Sequence, residues 1–445
     1  MFSCSALLIF CFSVVLALIH TDILIILCYN HFMFTPKEIL RVVKEGRLIG
    51  KKFSTITTIS IDTRTIKPGD LFIPIKGPNF DGQDFIPEAL AKGAIVLDVK
   101  DGLKALQDLA AYHRNRFKIS IVGVTGSVGK TTTKDMIASI LSQEKKTLKN
   151  EENFNNEVGV PLTLLKLTKK HQVAVIEMAM QGLGEIDLLA KMVRPHIAVV
   201  TNIGEAHLEH LKSQRNIAKA KAEIFGCQTQ KDYAVINADD EHFESLKLKT
   251  KSSKILTFGI LEKADFRPKD LAGIKLPVPG EHNIYNALAA IAVAKILKVK
   301  KSSIKNGLEK FRPSTNRWDV INRPDGVKII NDTYNASPQS MTAALKVLAW
   351  LKGRKIAVLG DMYELGGRTK AAHQRIGKLV RQLDIDHFIS IGKLSKDMGA
   401  TYHYTTKKPA IKKLRQLIKP GDRILIKASR GMHLEEVVEA IRNLC

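Results

Sequence analysis

A strand, a glycine-rich turn and a helix follow one another over residues 117–135, and this stretch constrains the fold more than any other. The apolar run 119–124 predicts a buried parallel strand, and apolar residues recur at helical spacing over 136–141. Between them lies the turn GSVGKT, residues 126–131. Such a turn lets backbone N–H groups approach phosphates, and the helix N-terminus behind it favours negative charge. This order of elements predicts a nucleotide-binding α/β protein.

The residues of the turn each suit a phosphate or its cation. Lys130 can reach the terminal phosphates, and the Thr131 hydroxyl can bind Mg²⁺. The strict G-x-x-x-x-G-K-[ST] pattern is not met, because Val124 stands five positions before Gly129, and only the shorter T-G-S-x-G-K-T form is present. An ordinary strand-to-helix turn would give no reason for Lys-Thr here. The predicted nucleotide-binding residues of the turn are Gly126, Ser127, Gly129, Lys130, Thr131 and Thr132.

Length and composition exclude several classes of protein. A chain of 445 residues, of which 45% are apolar, is long enough for about three domains with proper cores. The formal charge is +25, but the lysines are scattered and not interleaved with aromatic residues. We therefore expect solvated lysine-rich faces and no nucleic-acid partner. The five cysteines form no C-x-x-C pair, which indicates reduced thiols with neither a metal site nor a disulfide framework.

The first 32 residues differ in composition from the rest. They are largely apolar and contain no Lys or Arg, so the charged start of a secretory signal is missing. Two interpretations stay open. The segment 1–32 is a membrane anchor that leaves the body in the cytoplasm, or Met33 is the true start. Membrane contact is expected only through residues 1–32, which should be dispensable for chemistry.

Three domains are predicted after this leader. Residues 33–116 form a small α/β domain, and residues 117–311 form a central P-loop domain with a mainly parallel sheet. Residues 312–445 repeat the strand–helix alternation without a P-loop, which predicts a Rossmann-like domain. We expect the last two domains to form a cleft that closes over substrates.

Polar residues collect where the predicted strands of the central domain end. Glu177 follows one strand and resembles an acidic Walker-B residue, while Asn202 and His207 follow another. A loop rich in asparagine, residues 153–157, is a further candidate. Ligands of open α/β sheets bind outside the carboxyl ends of the strands, so these side chains should converge on the P-loop.

The motifs resemble those of the Mur ligases, in the same order, from Met33 to the C-terminus. The blocks that carry the resemblance are IDTRTIKPGDLFIPIKGPNFDGQDFI, VTGSVGKTTTKD, NFNNEVGVPLTLL, VIEMAMQGLGEI, TNIGEAHLEHL, AKAKAEIF, PGEHNIYNALAA, NDTYNASPQSM, VLGDMYELG and KASRGMHLEEVV. The departures from the family pattern remove no phosphate-binding or metal-binding group; they are Ala179, Asn316, Asn331 and Ala428.

This resemblance implies an ATP-dependent carboxylate–amine ligase that uses Mg²⁺ in cytoplasmic peptidoglycan precursor synthesis. The member fitted best joins D-alanyl-D-alanine to UDP-N-acetylmuramoyl-tripeptide through an acyl phosphate. We expect such an enzyme to work as a monomer. The third residue of the peptide, meso-diaminopimelate or lysine, stays open.

The resemblance also implies a role for the metal-binding and catalytic residues. Lys130 would contact the β and γ phosphates, and Thr131 with Glu177 would hold Mg²⁺. His207 would bind a second Mg²⁺, supported by a carbamylated Lys221. A surface lysine on the helix is the alternative for Lys221.

The remaining implied roles concern recognition of the substrates. Asn283 would bind the adenine, with Asn286 beside it. Arg317 and Asp332 would contact the phosphates and the ribose when the last domain closes over the nucleotide. The residues implied for the other substrates are Thr63 and Arg64 for the uridine diphosphate, and Asn156, Tyr334 and Asn335 for the peptide substrates. For Arg64, a structural salt bridge is an equally good interpretation.

Three other functions compete with this interpretation. A folylpolyglutamate synthase would share the central ATPase, but the segments 62–64 and 331–338 argue against it. A basic ATPase acting on nucleic acid would need a platform of stacking aromatics, which the sequence lacks. A membrane-anchored binding protein with an inactive P-loop is disfavoured because Lys130, Thr131 and Glu177 are intact.

Overall fold

The computed structural model divides the chain into two compact units, Met1–Arg116 and Phe117–Cys445. The residues that it describes are 33–51, 54–151, 153–252, 254–261 and 263–443. The predicted leader, residues 1–32, lies outside the described residues. In the part that is described, no helix combines the length and the apolar character needed to span a membrane.

The first unit is a small α/β domain with a four-stranded sheet. Helix α1 begins at Pro36 because Thr35 and Glu38 form a capping box, in which each side chain accepts a hydrogen bond from the other's backbone. The helices are α1 (Pro36–Val42), α2 (Ile86–Ala91) and α3 (Gly102–Asn115). The strands are β1 (Arg47–Ile49), β2 (Ile59–Ser60), β3 (Leu71–Phe72) and β4 (Ile95–Asp98). Their order is β1-β4-β3-β2, and only β1 is antiparallel to its neighbour.

The P-loop sheet of the second unit has six parallel strands. They are β5 (Ser120–Thr125), β6 (Thr147–Lys149), β7 (Val173–Glu177), β8 (Ile197–Val200), β9 (Tyr233–Asn237) and β10 (Lys254–Phe258). Their order is β10-β9-β8-β5-β7-β6, so the P-loop strand β5 lies between β7 and β8. The residues of β7 and β8 are buried throughout, as expected of parallel strands covered by helices on both faces.

The helices around this sheet follow the predicted alternation. They are α4 (Lys130–Leu141), α5 (Gly159–Leu164), α6 (Glu185–Val193), α7 (Leu208–Leu211), α8 (Gln214–Ala222), α9 (Phe243–Lys247), α10 (Glu281–Ile296) and α11 (Lys301–Glu309). Helix α10 is buried along most of its length and packs against α4, which follows the glycine turn. The start of α10 is thereby held beside the P-loop.

The second sheet of this unit is also largely parallel. Its strands are β11 (Asp319–Asn322), β12 (Lys328–Asn331), β13 (Lys355–Gly360), β14 (His387–Ile391), β15 (Tyr402–Tyr404) and β16 (Arg423–Lys427). The order is β11-β12-β16-β13-β14-β15, and only the edge strand β11 is antiparallel. The helices are α12 (Pro338–Trp350), α13 (Thr369–Gln382), α14 (Lys407–Leu417) and α15 (Glu435–Arg442).

One continuous buried cluster joins the two sheets of the second unit. It contains Val122 of β5 and Leu288 of α10 together with Leu345 of α12 and Ala357 of β13. The predicted α/β class with mainly parallel sheets is confirmed. The boundary predicted at residue 311 stays a prediction.

Candidate active site

A polar cavity of about 350 Å³ lies where the P-loop sheet meets loops of the second sheet. Most of the predicted site residues of this unit line it, and they come from both sheets. They are Ser127, Gly129, Lys130, Thr131, Thr132, Glu177, His207, Asn283, Asn286, Arg317, Asp332, Tyr334 and Asn335. The convergence expected from the strand ends is therefore present.

The glycine turn leaves no room for a side chain at Gly126. A Cβ there would lie 1.9 Å from Thr201 Oγ1, and φ is +146°, which L-residues rarely adopt. The Lys130 ammonium folds back over the turn and donates to the carbonyls of Gly126 (2.9 Å) and Ser127 (3.3 Å). Burial lowers the pKa of Lys130, and the nearby carboxylate of Glu177 opposes that effect. A phosphate would give this cation a stronger partner than two carbonyls.

Backbone donors at the start of α4 are free for an anion. Among the described residues, the N–H groups of Gly129, Lys130, Thr131 and Thr132 have no hydrogen-bond partner, and the first closed turn is Thr133 N to Gly129 O at 2.8 Å. These are the orphan donors of a helix N-terminus, and here they face a cavity. The arrangement is a phosphate-binding site.

Glu177 presents one unpartnered carboxylate oxygen in this cavity. Its Oε1 accepts from Asn155 Nδ2 at 2.8 Å, whereas the buried Oε2 has no hydrogen-bond partner among the residues that the structure describes. Asn150, which is fully buried, fixes the backbone of Glu177 through bonds to both its N–H (2.9 Å) and its carbonyl (3.0 Å). A buried carboxylate oxygen without a donor suits a cation better than an apolar neighbour.

Lys221 is buried, with a side chain only 1% exposed, so the alternative of a surface lysine is wrong. It has neither a hydrogen-bond nor an ion-pair partner within the described part of the chain. Burial lowers the pKa of Lys221 well below its ordinary value, and the charge of Lys130 lowers it further. A buried, unpaired ammonium is costly, so the neutral amine is favoured.

His207 lies between the two sheets. Its Nδ1 lies 2.7 Å from Glu364 Oε2, and the two groups form an ion pair when the imidazole is protonated. Burial lowers the pKa of His207, and Lys130 and Lys221 add to this while Glu364 opposes it. The neutral imidazole is the form that binds metals.

Two asparagine side chains at the start of α10 form a chain of hydrogen bonds that begins at Thr133, in the helix after the glycine turn. Thr133 Oγ1 donates to Asn286 Oδ1 (3.1 Å), Asn286 Nδ2 donates to Asn283 Oδ1 (3.2 Å), and Asn283 Nδ2 donates to the carbonyl of Pro279 (2.7 Å). Next to them, burial lowers the pKa of His282 to about 4. The His282 imidazole is therefore neutral at neutral pH.

The second sheet contributes a cation on an aromatic ring and a buried ion pair. The guanidinium of Arg317 lies 3.7 Å from the centre of the Tyr334 ring, a cation–π contact. Asp332 pairs with Lys427 Nζ at 2.6 Å, and the same ammonium donates to the carbonyl of Asn335 at 2.8 Å. Both Arg317 and Asp332 are thereby held at the cavity wall.

Two departures from the family pattern lie behind this wall and bond to each other. Asn331 Nδ2 donates to Asn316 Oδ1 at 2.8 Å, and Tyr334 N donates to the Asn316 carbonyl at 3.0 Å. Asn316 has φ +61°, a conformation that asparagine tolerates better than most residues. The pair joins the segment before β11 to the end of β12.

Three predicted residues of the second unit are not part of the cavity lining, and they are Gly126, Asn156 and Lys221. Asn156 Oδ1 accepts from Gly159 N at 2.9 Å and so caps α5. In the first unit, Arg64 is 86% exposed and pairs with Asp62 at 2.7 Å, while Thr63 donates to Glu88 at 3.0 Å. Their substrate roles stay predictions.

Sequence reasoning missed several residues of the site. The sequence indicates Asn155 only as part of an asparagine-rich loop and predicts a substrate role for the neighbouring Asn156. Lys427 ends β16 and could have been found by its strand-end position. Glu364 has no local signal, since it approaches His207 only through the packing of one sheet against the other.

A P-loop sheet and a second, largely parallel sheet that meet at a cavity lined by free backbone N–H groups and a lysine define the class of P-loop nucleotide-binding α/β proteins. Three family profiles match the chain. They are the "Mur ligase family, catalytic domain" over 55–114, the "Mur ligase middle domain" over 124–294 and the "Mur ligase, glutamate ligase domain" over 316–430.

Similar proteins cover almost the whole chain. The UDP-N-acetylmuramoyl-tripeptide–D-alanyl-D-alanine ligase of Bacillus subtilis is 36% identical, covering 91% of this chain and 97% of its own. The Escherichia coli ligase of the same name is also 36% identical, with 90% and 96% covered. The crystal structure of MurF from Acinetobacter baumannii has a TM-score of 0.86 at 32% identity, with 92% and 99% covered. MurF from Thermotoga maritima in complex with ADP has a TM-score of 0.77 at 28% identity, with 86% and 97% covered. The chain belongs to the Mur ligase family.

Proposed function

We propose that the chain is an ATP-dependent ligase that joins D-alanyl-D-alanine to UDP-N-acetylmuramoyl-tripeptide, forming ADP and phosphate. The observation that carries the proposal is the set of free N–H groups and the Lys130 ammonium beside the unpartnered oxygen of Glu177. The relatives from Bacillus subtilis and Escherichia coli are ligases named for this reaction, which supports the proposal.

The residues around the cavity fit a magnesium ion. Glu177 Oε2 is a buried, unpartnered carboxylate oxygen, and Thr131 lies at the same cavity wall. Mg²⁺ prefers such hard oxygen ligands together with phosphate oxygens, and when bound it offsets charge on the transferring phosphoryl group. We assign Thr131 and Glu177 to this ion, and His207 with a carbamylated Lys221 to a second one.

The proposed reaction proceeds in two transfers. A carboxylate is a poor electrophile at neutral pH, so its oxygen first attacks the γ-phosphorus of ATP, and ADP leaves. The free amine of the dipeptide then attacks the carbonyl carbon of the acyl phosphate, a C–N bond forms, and phosphate leaves with the C–O bond broken. Lys130 and Arg317 stabilise negative charge on the phosphoryl group during the first transfer.

The second sheet has to hold the amine in place and exclude water, because an acyl phosphate would otherwise hydrolyse. Tyr334 and Asn335, both on the cavity wall, are assigned to the dipeptide. Asp332 is assigned to the ribose, and Asn283 and Asn286 to the adenine. Thr63 and Arg64 are assigned to the uridine nucleotide. We infer that the enzyme works as a monomer in the cytoplasm, without a nucleic-acid partner.

The test is ATP turnover with the nucleotide tripeptide, measured as phosphate release and by mass spectrometry of the product. We expect release only when both the tripeptide and D-alanyl-D-alanine are present, with a product heavier by one dipeptide less water. Two tripeptides should be supplied, one with meso-diaminopimelate and one with lysine, because the proposed chemistry is the same for both. In the control reactions, the tripeptide and dipeptide are replaced by a folate with glutamate, or by DNA or RNA. Turnover with one of these but not with the tripeptides would contradict the proposal.

A further inference from the structure

Asn202, the second residue after β8, is tied to the glycine turn at two consecutive residues. Ser127 N donates to the Asn202 carbonyl (2.8 Å), and Val128 N donates to Asn202 Oδ1 (3.0 Å). Asn202 Nδ2 in turn donates to the Val128 carbonyl (2.8 Å). Thr201 Oγ1 donates to that same carbonyl at 2.7 Å. Both polar backbone groups of Val128 are thus held by the neighbouring strand end.

This tie fixes the direction of the next peptide N–H. The Val128–Gly129 peptide is trans, and in a trans peptide the C=O and the following N–H point to opposite sides. A Val128 carbonyl held towards Thr201 and Asn202 therefore turns the N–H of Gly129 the other way. That N–H has no partner among the residues that are described, and Gly129 lines the cavity. The opposite orientation would turn a carbonyl oxygen towards an incoming phosphate.

Without such a tie the turn would be free to change shape. It contains two glycines with positive φ, Gly126 at +146° and Gly129 at +85°, and glycine has the largest conformational freedom of any residue. A turn that becomes ordered only when the nucleotide arrives loses part of the binding free energy to that ordering. The contacts of Asn202 are made here by protein groups alone.

We infer that Asn202 is a positioning residue that holds the glycine turn in its phosphate-binding conformation before a nucleotide binds. Thr201 assists by sharing the Val128 carbonyl. The inference rests on the proposed function only in that the ligand is a nucleoside diphosphate or triphosphate, whose β-phosphate would meet the N–H of Gly129. Asn202 itself touches neither the ligand nor the reacting atoms in this assignment.

The experiment measures ADP binding by calorimetry, in the absence of the other substrates, for the full chain and three variants. Asn202→Ala removes two of the contacts to Val128, and we expect its ADP affinity to fall roughly ten- to a hundredfold. Thr201→Val removes one donor to the same carbonyl at nearly constant shape and should give a smaller loss. In steady-state assays the KM for ATP should rise more than kcat falls.

Asn237→Ala is the matched control. Asn237 ends the neighbouring strand β9 and is buried, and its side chain contacts Thr201 O (3.3 Å) and Asp239 N (3.1 Å) but not the glycine turn. We expect a similar shift in the thermal midpoint without nucleotide for Asn237→Ala and Asn202→Ala, but unchanged ADP affinity for the control. If Asn202→Ala does not fold, Thr201→Val carries the test alone.

Unchanged ADP affinity in Asn202→Ala or, where that does not fold, in Thr201→Val would overturn the inference. So would an equal loss in Asn237→Ala, or a wild-type chain that binds no ADP. A wild-type chain that binds ADP but forms no ligation product would overturn the proposed function and leave the positioning role of Asn202 supported if the variants behave as expected.

Discussion

Replacing Lys130 by alanine is expected to reduce phosphate release on the order of 10²–10³-fold, because a positioned charge on the transferring phosphoryl group is lost. The fold should survive, since within the described residues the ammonium donates hydrogen bonds only to the carbonyls of Gly126 and Ser127. Removing a half-buried cation whose pKa is already lowered by desolvation should cost little stability. The measurements are phosphate release at saturating substrates and the thermal midpoint.

The control for this variant is Lys146→Ala, which removes an exposed lysine beyond the end of α4. It should leave turnover unchanged. If a folded Lys130→Ala protein turned over ATP at nearly the normal rate, the assignment of the glycine turn to the phosphates would be wrong.

The second large effect is expected at Lys221. Near the proposed ions, an ammonium would be repelled, whereas a carbamate offers two oxygen ligands. Lys221→Ala should lower turnover roughly a hundredfold. Short carboxylic acids should restore part of it by filling the vacated oxygen positions. Lys219→Ala, on the same helix but exposed, should do neither.

The pH dependence of this modification follows from the lowered pKa of Lys221. Carbamate formation joins the neutral amine to CO₂ and releases a proton, so at fixed CO₂ pressure it is favoured as pH rises. Because burial lowers the pKa of Lys221, the neutral amine is present at lower pH than for an exposed lysine. For the unmodified amine, the unfolded state binds the extra proton between the two pKa values, so stability should rise with pH in that window.

A direct readout that does not depend on activity is ¹³C NMR after exposure to ¹³CO₂. We expect a carbamate signal in the wild-type chain and in Lys219→Ala but not in Lys221→Ala. Full activity of Lys221→Ala in CO₂-depleted buffer would contradict the carbamate, while the ligase assignment would be unaffected.

The amino-acid sequence by itself determined the class of fold and the place of the site. The strand, glycine turn and helix over residues 117–135 are encoded by consecutive residues, because turn chemistry and hydrophobic periodicity are local properties. The alternation of strands and helices likewise predicted parallel sheets. The positions of Glu177 and His207 after strand ends predicted that they lie near the P-loop, and both line the cavity. The predicted strand ends differ slightly from the observed ones, and these differences change neither the class of fold nor the place of the site.

Only the tertiary structure decided which side chains meet. Hydrophobic periodicity cannot predict that Asn155 contacts Glu177 while its neighbour Asn156 caps a helix. The two residues are of the same type in the same loop, and only the directions of their side chains differ. Nor could it place Glu364 beside His207, or Lys427 beside Asp332, since these pairs depend on strand order and on how one sheet packs against the other.

The burial of Lys221 and the tie between Asn202 and Val128 belong to the same category. The tie forms because β5 lies next to β8 in the sheet. The burial of Lys221 depends on how other elements pack around α8. Local sequence specifies each unit, but distances of about 3 Å between units are set by the packing of the whole sheet and the helices that cover it.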